Sequence, residues 1–203
     1  MFETISKTIN SLDTSIISNE RKEVLNALKV YLEDKIETNK PIRLNFICTH
    51  NSRRSHLSQI WAQTMAAYYN INNVSCYSGG TEATAMFPKV AETLKNQGFK
   101  INRLSDENNP VYGIKFSQNE PAIIAFSKEF SHDFNPASEF AAIMTCSSAD
   151  EGCPMVFGCD KRMAITYEDP KKSDGTPQQT ETYFNRSLQI ATEMKYVFSN
   201  LMK

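Results

Sequence analysis

The sequence lacks an excess of either charge: 22 Lys and Arg face 23 Asp and Glu, for a formal net charge of −1. That balance gives nucleic acid and anionic membrane surfaces little to hold, so neither is expected as a partner. Any apolar run approaching the roughly 20 residues of a membrane-crossing helix is missing too. The first residues, MFETISKTINSLDTSI, have neither the basic start nor the continuous apolar stretch of a secretory signal. A cytoplasmic location is the expectation. Repeats, low-complexity tracts and an evident interdomain linker are also absent, and 203 residues are enough for one domain with a sizeable core. Finally, the cysteines do not come in an even number. The five, at positions 48, 76, 146, 153 and 159, do not suit a secreted disulfide scaffold and point to metal binding or redox chemistry in a reducing compartment.

What is present is an alternation of helix and strand patterns. Residues 1–40 read as polar and helical, with Val24, Leu25, Leu28, Leu32 and Ile36 at helical spacing. Asn39-Lys40-Pro41 stops that helix, and Ile42 to Ile47 alternate as a strand running into Cys48. Leu57, Ile60, Trp61, Met65 and Tyr68 share one face of a helix from about Arg54 to Tyr69. A strand from Val74 to Ser78 ends at Gly79-Gly80, and Pro88 opens a further helix. Between about 100 and 135, Val111–Phe116 and Ala122–Phe126 read as an inserted hairpin. Ala141–Thr145 and Met163–Tyr167 read as core strands delivering Cys146 and Asp169. A last helix from Pro177 to Leu201 carries a stripe of Phe184, Leu188, Ala191, Met194, Phe198 and Leu201.

The expected fold is therefore a three-layer α/β sandwich with a mainly parallel sheet of about four core strands and helices on both faces. Residues 1–40 form an N-terminal helical extension, and residues 41–203 form the main domain with its insertion at about 100–135. Cys48, Cys146 and Asp169 all fall at carboxyl ends of predicted strands, where open α/β sheets carry their sites.

Cys48 opens the run Cys48-Thr49-His50-Asn51-Ser52-Arg53-Arg54-Ser55 between a predicted strand and a predicted helix. Successive amides in such a turn form an anion nest, and the helix N-terminus adds its dipole and free donors. Arg54 can fork two oxygens of a tetrahedral oxyanion, which a lysine cannot. The same positive field favours the thiolate of Cys48, the nucleophilic form, and Ser55 can donate a hydrogen bond to that sulfur. The oxyanion-binding set is thus Thr49, His50, Asn51, Ser52, Arg53, Arg54 and Ser55, with the Asn51 amide bracing the loop.

This Cys-x5-Arg-Ser loop resembles that of the low-molecular-weight tyrosine phosphatase superfamily. The resemblance implies a thiolate attack by Cys48 and a general acid preceding a proline late in the chain, a role that Asp169 of Glu168-Asp169-Pro170 would fill. Thr145-Cys146-Ser147-Ser148-Ala149-Asp150-Glu151-Gly152-Cys153-Pro154 resembles the paired-cysteine segment of the thioredoxin-coupled arsenate reductases, a branch of the same superfamily. Tyr77-Ser78-Gly79-Gly80-Thr81-Glu82 followed by Pro88 extends the likeness, which covers roughly residues 42–100 and 139–200. It implies arsenate reduction through Cys48, Cys146 and Cys153, with a small oxyanion substrate, a thioredoxin-type reductant and no metal or organic cofactor.

Three departures stand out. His50 occupies a position that is usually glycine in the family, so the loop is expected to accept a Cβ where positive φ is favoured. Arg53 stands where these reductases often have cysteine and is expected to add positive charge at the mouth. Lys171-Lys172 follows Asp169-Pro170 in place of the aromatics that clamp a phosphotyrosine ring, which suits a small anion.

Other readings remain open at this point. A tyrosine or small-phosphoester phosphatase would use the same loop and acid. A non-catalytic oxyanion-binding regulator fits the extra segments. A zinc site at Cys146, Cys153 and Cys159 lacks the usual close cysteine pair and a fourth ligand. Cys76 and Trp61 read as core, Cys159 as a surface or loop thiol, and His56 and His132 as solvated.

Overall fold

The central strand of the protein owes its place to a run of residues that is apolar on one side and nearly so on the other. In β1 (Ile42–Cys48), Ile42, Leu44 and Phe46 enter the main core, while Ile47 belongs to a second cluster with Cys48. Burial on both faces is what a parallel strand between helical layers requires. The computed structural model describes residues 1–153 and 155–201. Pro154, the second member of the expected Cys-Pro pair, lies outside the described residues.

Four strands form one parallel sheet: β2 (Val74–Gly80), β1, β6 (Phe140–Met144) and β7 (Cys159–Ala164), in that order. One face is thickly covered by α1 (Glu3–Ser11), α2 (Asn19–Glu37), α3 (Arg54–Tyr68), α4 (Pro88–Asn96) and α6 (Gln179–Ser199). The other carries the short α5 (Ser147–Gly152) and the segment around Phe130. The expected three-layer α/β fold with a parallel sheet and helices on both faces is found, with unequal layers. No helix among the described residues is long and apolar enough to cross a membrane.

Residues 1–40 contribute to the main core. Ile5, Ile9, Leu25, Leu28 and Leu32 have no exposed surface, whereas Val24, expected on the buried stripe, is 39% exposed. Ser18 caps α2 by accepting from Arg21 N at 3.2 Å, and Arg21 then forks the Glu193 carboxylate of α6 at 3.0 and 2.7 Å. Gly98 closes α4 at φ +101°, where a Cβ would also stand 2.7 Å from Thr4 Cβ.

The expected hairpin is present as β4 (Tyr112–Lys115) and β5 (Ile123–Ala125), paired antiparallel. A third strand, β3 (Lys100–Arg103), joins its edge. Lys100, Asn102 and Arg103 are exposed, so the strand carries no apolar alternation to betray it.

Two expectations about the C-terminal part need correction. The last core strand is Cys159–Ala164, not Met163–Tyr167, and it joins β6 with a register shift at Phe140/Ala141. Cys159 is therefore a strand residue. Asp169 lies on the segment leaving the sheet, which keeps only Ile165 N to Met144 O at 2.9 Å and Tyr167 N to Thr145 O at 3.1 Å. On α6 the buried face is Tyr183, Ser187, Ile190, Ala191, Met194, Val197 and Phe198, and Phe184 is 40% exposed. One residue is about 100° of helix, which carries Phe184 off the face centred on Tyr183.

Candidate active site

Cys48 ends β1 and residues 49–53 turn into α3, so the anion loop is hung between two elements of the rigid core. Its carbonyls are pulled outward. Thr81 N donates to Cys48 O at 3.0 Å, Glu82 N to Thr49 O at 2.8 Å and Phe87 N to Ser52 O at 3.0 Å. The Thr84 and Ser127 hydroxyls both donate to His50 O at 3.0 Å. With the carbonyls so occupied, the amides of residues 49–53 have no protein acceptor among the described residues and are left for an anion.

The loop rests on bare main chain. A Cβ on Gly80 would lie 2.3 Å from Glu82 O and 2.7 Å from both Asn51 N and Thr49 O, and one on Gly79 would meet Phe130 Cα at 2.4 Å. The left-handed residue of the loop is Asn51, at φ +43°, and not His50. His50 thus accommodates its Cβ without strain, and its half-exposed ring approaches Glu82 at 3.3 Å.

Asn51 is fully buried. Its Nδ2 donates to Ser55 Oγ at 2.8 Å and its Oδ1 accepts from Lys128 N at 2.9 Å. Since Ser55 Oγ accepts a hydrogen bond from Asn51, its own hydroxyl proton is available to Cys48 Sγ, 3.1 Å away. Arg54 donates through Nη2 to Asp169 Oδ2 at 2.6 Å and through Nη1 to Tyr167 O at 2.9 Å. Asp169 also caps the turn Pro170–Ser173, accepting from Lys171 N at 3.0 Å.

Cys146 brings a second sulfur to the loop: its Sγ is 3.4 Å from Thr49 Oγ1 and accepts from Ala149 N at 3.3 Å, capping α5. Cys48, Cys146 and Cys153 share one apolar cluster, and all five cysteines are free thiols. The far end of α5 is held from β7 by Arg162, which donates to Asp150 O at 2.6 Å and Cys153 O at 3.1 Å. Cys159 is half-buried against the same cluster. No group of three or more His, Cys, Asp or Glu able to hold a metal occurs among the described residues.

Arg53 does not add charge at the mouth as expected. Its guanidinium is committed to Tyr183 Oη at 2.5 Å and Asp174 Oδ2 at 2.6 Å, with its carbon 4.1 Å above the Phe87 ring centre. Its Nε and Nη2 are thus drawn away from the mouth of the loop.

His56 is not solvated. It is fully buried beneath the loop with Nδ1 3.2 Å from Ser78 Oγ, and burial, reinforced by nearby Lys128, pushes its pKa down to about 3. His132 is largely exposed, and Cys76 and Trp61 are core residues.

The sequence did not single out Tyr167, whose carbonyl aims Arg54, or Ser127 and Lys128, which brace the loop from the segment after β5. Lys128 is 1% exposed, with Nζ bonded to Phe126 O at 3.3 Å and facing the Phe126 and Phe134 rings. Thr81 and Glu82 were visible as part of the Gly79-Gly80 run, though without their role as donors to the loop.

The low molecular weight phosphotyrosine protein phosphatase family model matches residues 43–118. An arsenate reductase of Staphylococcus aureus (strain Newman) is 30% identical over 129 residues, covering 62% of this chain and 76% of that protein. One of Bacillus licheniformis is 25% identical over 142 residues, covering 70% of this chain and 83% of that protein. Among solved structures, an arsenate reductase in the phosphate binding state aligns with TM-score 0.50 at 16% identity, covering 79% of this chain and 99% of that one. A low molecular weight phosphotyrosine phosphatase from Vibrio cholerae aligns with TM-score 0.50 at 13% identity, covering 78% and 95%. The chain belongs to the low molecular weight phosphotyrosine protein phosphatase family of enzymes, and arsenate reductases are among its relatives in sequence.

Proposed function

We propose that the protein is an arsenate reductase in which Cys48 attacks the oxyanion and Cys146 and Cys153 carry the resulting oxidation away. The observation that carries this reading is the second sulfur: Cys146 Sγ sits 3.4 Å from Thr49 Oγ1 of the loop that begins with Cys48. Reduction of arsenic needs a second thiol there, whereas hydrolysis of a phosphate ester does not.

The chemistry runs as follows. The Cys48 thiolate, stabilised by the Ser55 hydroxyl, attacks arsenic(V), and one oxygen leaves as water with a proton from Asp169. Arg54 exchanges the Asp169 carboxylate for two oxygens of the substrate, while the amides of residues 49–53 take the others. The Cys146 thiolate then attacks the Cys48 sulfur. The sulfur–arsenic bond breaks with its electron pair on arsenic, releasing arsenite and leaving a Cys48–Cys146 disulfide. Cys153 attacks Cys146, which frees Cys48 and moves the disulfide to Cys146–Cys153. A thioredoxin-type dithiol reduces that pair by exchange. Five free thiols suit the reducing cytoplasm, where we place the protein.

The test is arsenate turnover with thioredoxin, its reductase and NADPH, beside hydrolysis of p-nitrophenyl phosphate. Multiple turnover that is lost in each of Cys48→Ser, Cys146→Ser and Cys153→Ser supports the relay. Phosphate-ester hydrolysis alone, sensitive only to Cys48→Ser, would make the protein a phosphatase. Phosphate binding with no turnover of either kind would leave a regulatory oxyanion binder.

A further inference from the structure

We propose that Arg53 is a positioning residue that ties the turn carrying Asp169 to the anion loop, and so holds that turn in place while Arg54 exchanges Asp169 for an oxyanion. This rests on the reading of the site given above.

The turn Pro170–Ser173 has Asp169 at one end and Asp174 at the other. It is internally stiff: Asp169 Oδ1 accepts from Lys171 N at 3.0 Å, Ser173 Oγ donates to Pro170 O at 2.8 Å and Asp174 N donates to Lys171 O at 2.9 Å. Consecutive arginines of the loop grip its two ends, Arg54 at Asp169 and Arg53 at Asp174, both at 2.6 Å.

The two grips differ in kind. Arg54 pairs with no other carboxylate among the described residues, and its fork is the group that an oxyanion needs. Its hold on Asp169 must break when substrate binds. Arg53 belongs to a closed triangle, in which its Nε donates to Tyr183 Oη at 2.5 Å and Tyr183 Oη donates to Asp174 Oδ1 at 2.7 Å. Gln179 Nε2 adds a bond to the same carboxylate at 3.0 Å. The flat faces are filled too, with Phe87 4.1 Å under the guanidinium and 5.8 Å from the Tyr183 ring. Phe87 is itself bonded to the loop through Ser52 O at 3.0 Å.

Burial alone would raise the Asp174 pKa, yet Tyr183, Gln179 and Arg53 hold it below the usual carboxylate range. The triangle thus stays ionised and closed at any pH where the enzyme would work. When Arg54 lets go, Asp169 loses one partner and keeps its distance from the loop, because the other end of its turn has not moved.

The variants are Arg53→Met, Arg53→Lys, Asp174→Asn and the Arg53→Met/Asp174→Asn double, each read for kcat and KM of the Cys48-dependent reaction. Inorganic phosphate affinity and amide hydrogen exchange of residues 170–176 are measured on the same proteins. Displacement of an acid by about an ångström can cost on the order of a hundredfold. Arg53→Met and Asp174→Asn are therefore expected to lower kcat by about tenfold to a hundredfold, to quicken exchange in 170–176, and to leave phosphate affinity near the wild-type value. The double variant should be no worse than either single change, and Arg53→Lys should recover part of the loss by keeping the ion pair. Tyr183→Phe, which removes only a hydroxyl, serves where Arg53→Met fails to fold.

Phosphate affinity falling in step with kcat would overturn the proposal by making Arg53 a ligand of the oxyanion. Unchanged kcat and exchange, or additive losses in the double variant, would overturn it as well. If the wild type shows no Cys48-dependent turnover, the functional reading fails on its own. Exchange and phosphate affinity then judge the clamp: faster exchange with affinity retained supports it, and unchanged exchange refutes it.

Discussion

Replacing Asn51 by alanine removes the fully buried side chain that braces the loop from within. The side chain is wholly buried and makes two bonds, to Ser55 Oγ at 2.8 Å and from Lys128 N at 2.9 Å. The substitution orphans the buried Lys128 amide, at about 1–3 kcal/mol, and loses the Ser55 bond, at about 1 kcal/mol. Alanine at φ +43° adds about 1 kcal/mol of left-handed strain that asparagine tolerates better. The total is about 4 kcal/mol, above the ordinary range for single substitutions. At roughly 2–4 °C per kcal/mol for a chain of this length, the melting temperature should fall by about 10 °C. Urea unfolding of wild type, Asn51→Ala and Asn51→Gly measures it, with glycine expected about 1 kcal/mol milder because it accepts the backbone angle. Iodoacetamide should also alkylate Cys48 more slowly in Asn51→Ala at neutral pH, since the Ser55 hydroxyl is no longer oriented toward the sulfur. A loss below about 1 kcal/mol would refute the account of the loop, and equal losses for alanine and glycine would refute its backbone part.

Burial pushes Lys128 down from an ordinary 10.5 to about 7. The unfolded chain keeps that proton up to the ordinary value while the folded chain gives it up near 7, so stability should rise with pH between about 7 and about 10. Lys128→Met, which keeps the main-chain amide that Asn51 needs, should flatten that rise in urea titrations and be the more stable protein at pH 7; an unchanged slope would exclude Lys128 as its source. Arg21→Met should cost about 3 kcal/mol or more by leaving Glu193, 4% exposed at its side chain, charged and unpaired in the core. Arg21→Met/Glu193→Met should recover much of that loss in the same unfolding assay, and a double variant as unstable as the single one would refute the attribution to a stranded charge.

Local chemistry was legible in the sequence and remote partnership was not. Cys48, Arg54 and Ser55 lie within eight consecutive residues between an alternating strand and an amphipathic helix, so their convergence follows from chain geometry alone. Arg53 sits in the same run, yet its partners Asp174 and Tyr183 are 121 and 130 residues away, and nothing local says that its side chain turns outward to meet them. His56 read as solvated because polar residues are usually exposed, whereas the segment after β5 packs against β2 and α3 and buries both it and Lys128. That packing includes a parallel bridge between Gly80 and Glu129, which extends the edge of the sheet beyond any pattern of alternation. Cys159 read as a surface or loop thiol because the Asp160-Lys161-Arg162 that follows it shows no apolar alternation. The helices of residues 1–40 were visible from their spacing, while their share in the main core became visible only with Arg21 on Glu193.

Gly80 gives the anion loop a floor made of main chain alone, where even one added carbon would collide with three backbone atoms. A floor of that kind transmits no information about the side chains above it. The residue at position 50 on the rim can therefore change without altering that floor. Substrate preference and loop shape are separable traits in such a scaffold, the first written in the rim and the second in the glycines. Directed change of specificity belongs at 50 and at the residues facing it, and any library that randomises 79 or 80 will mostly return unfolded protein.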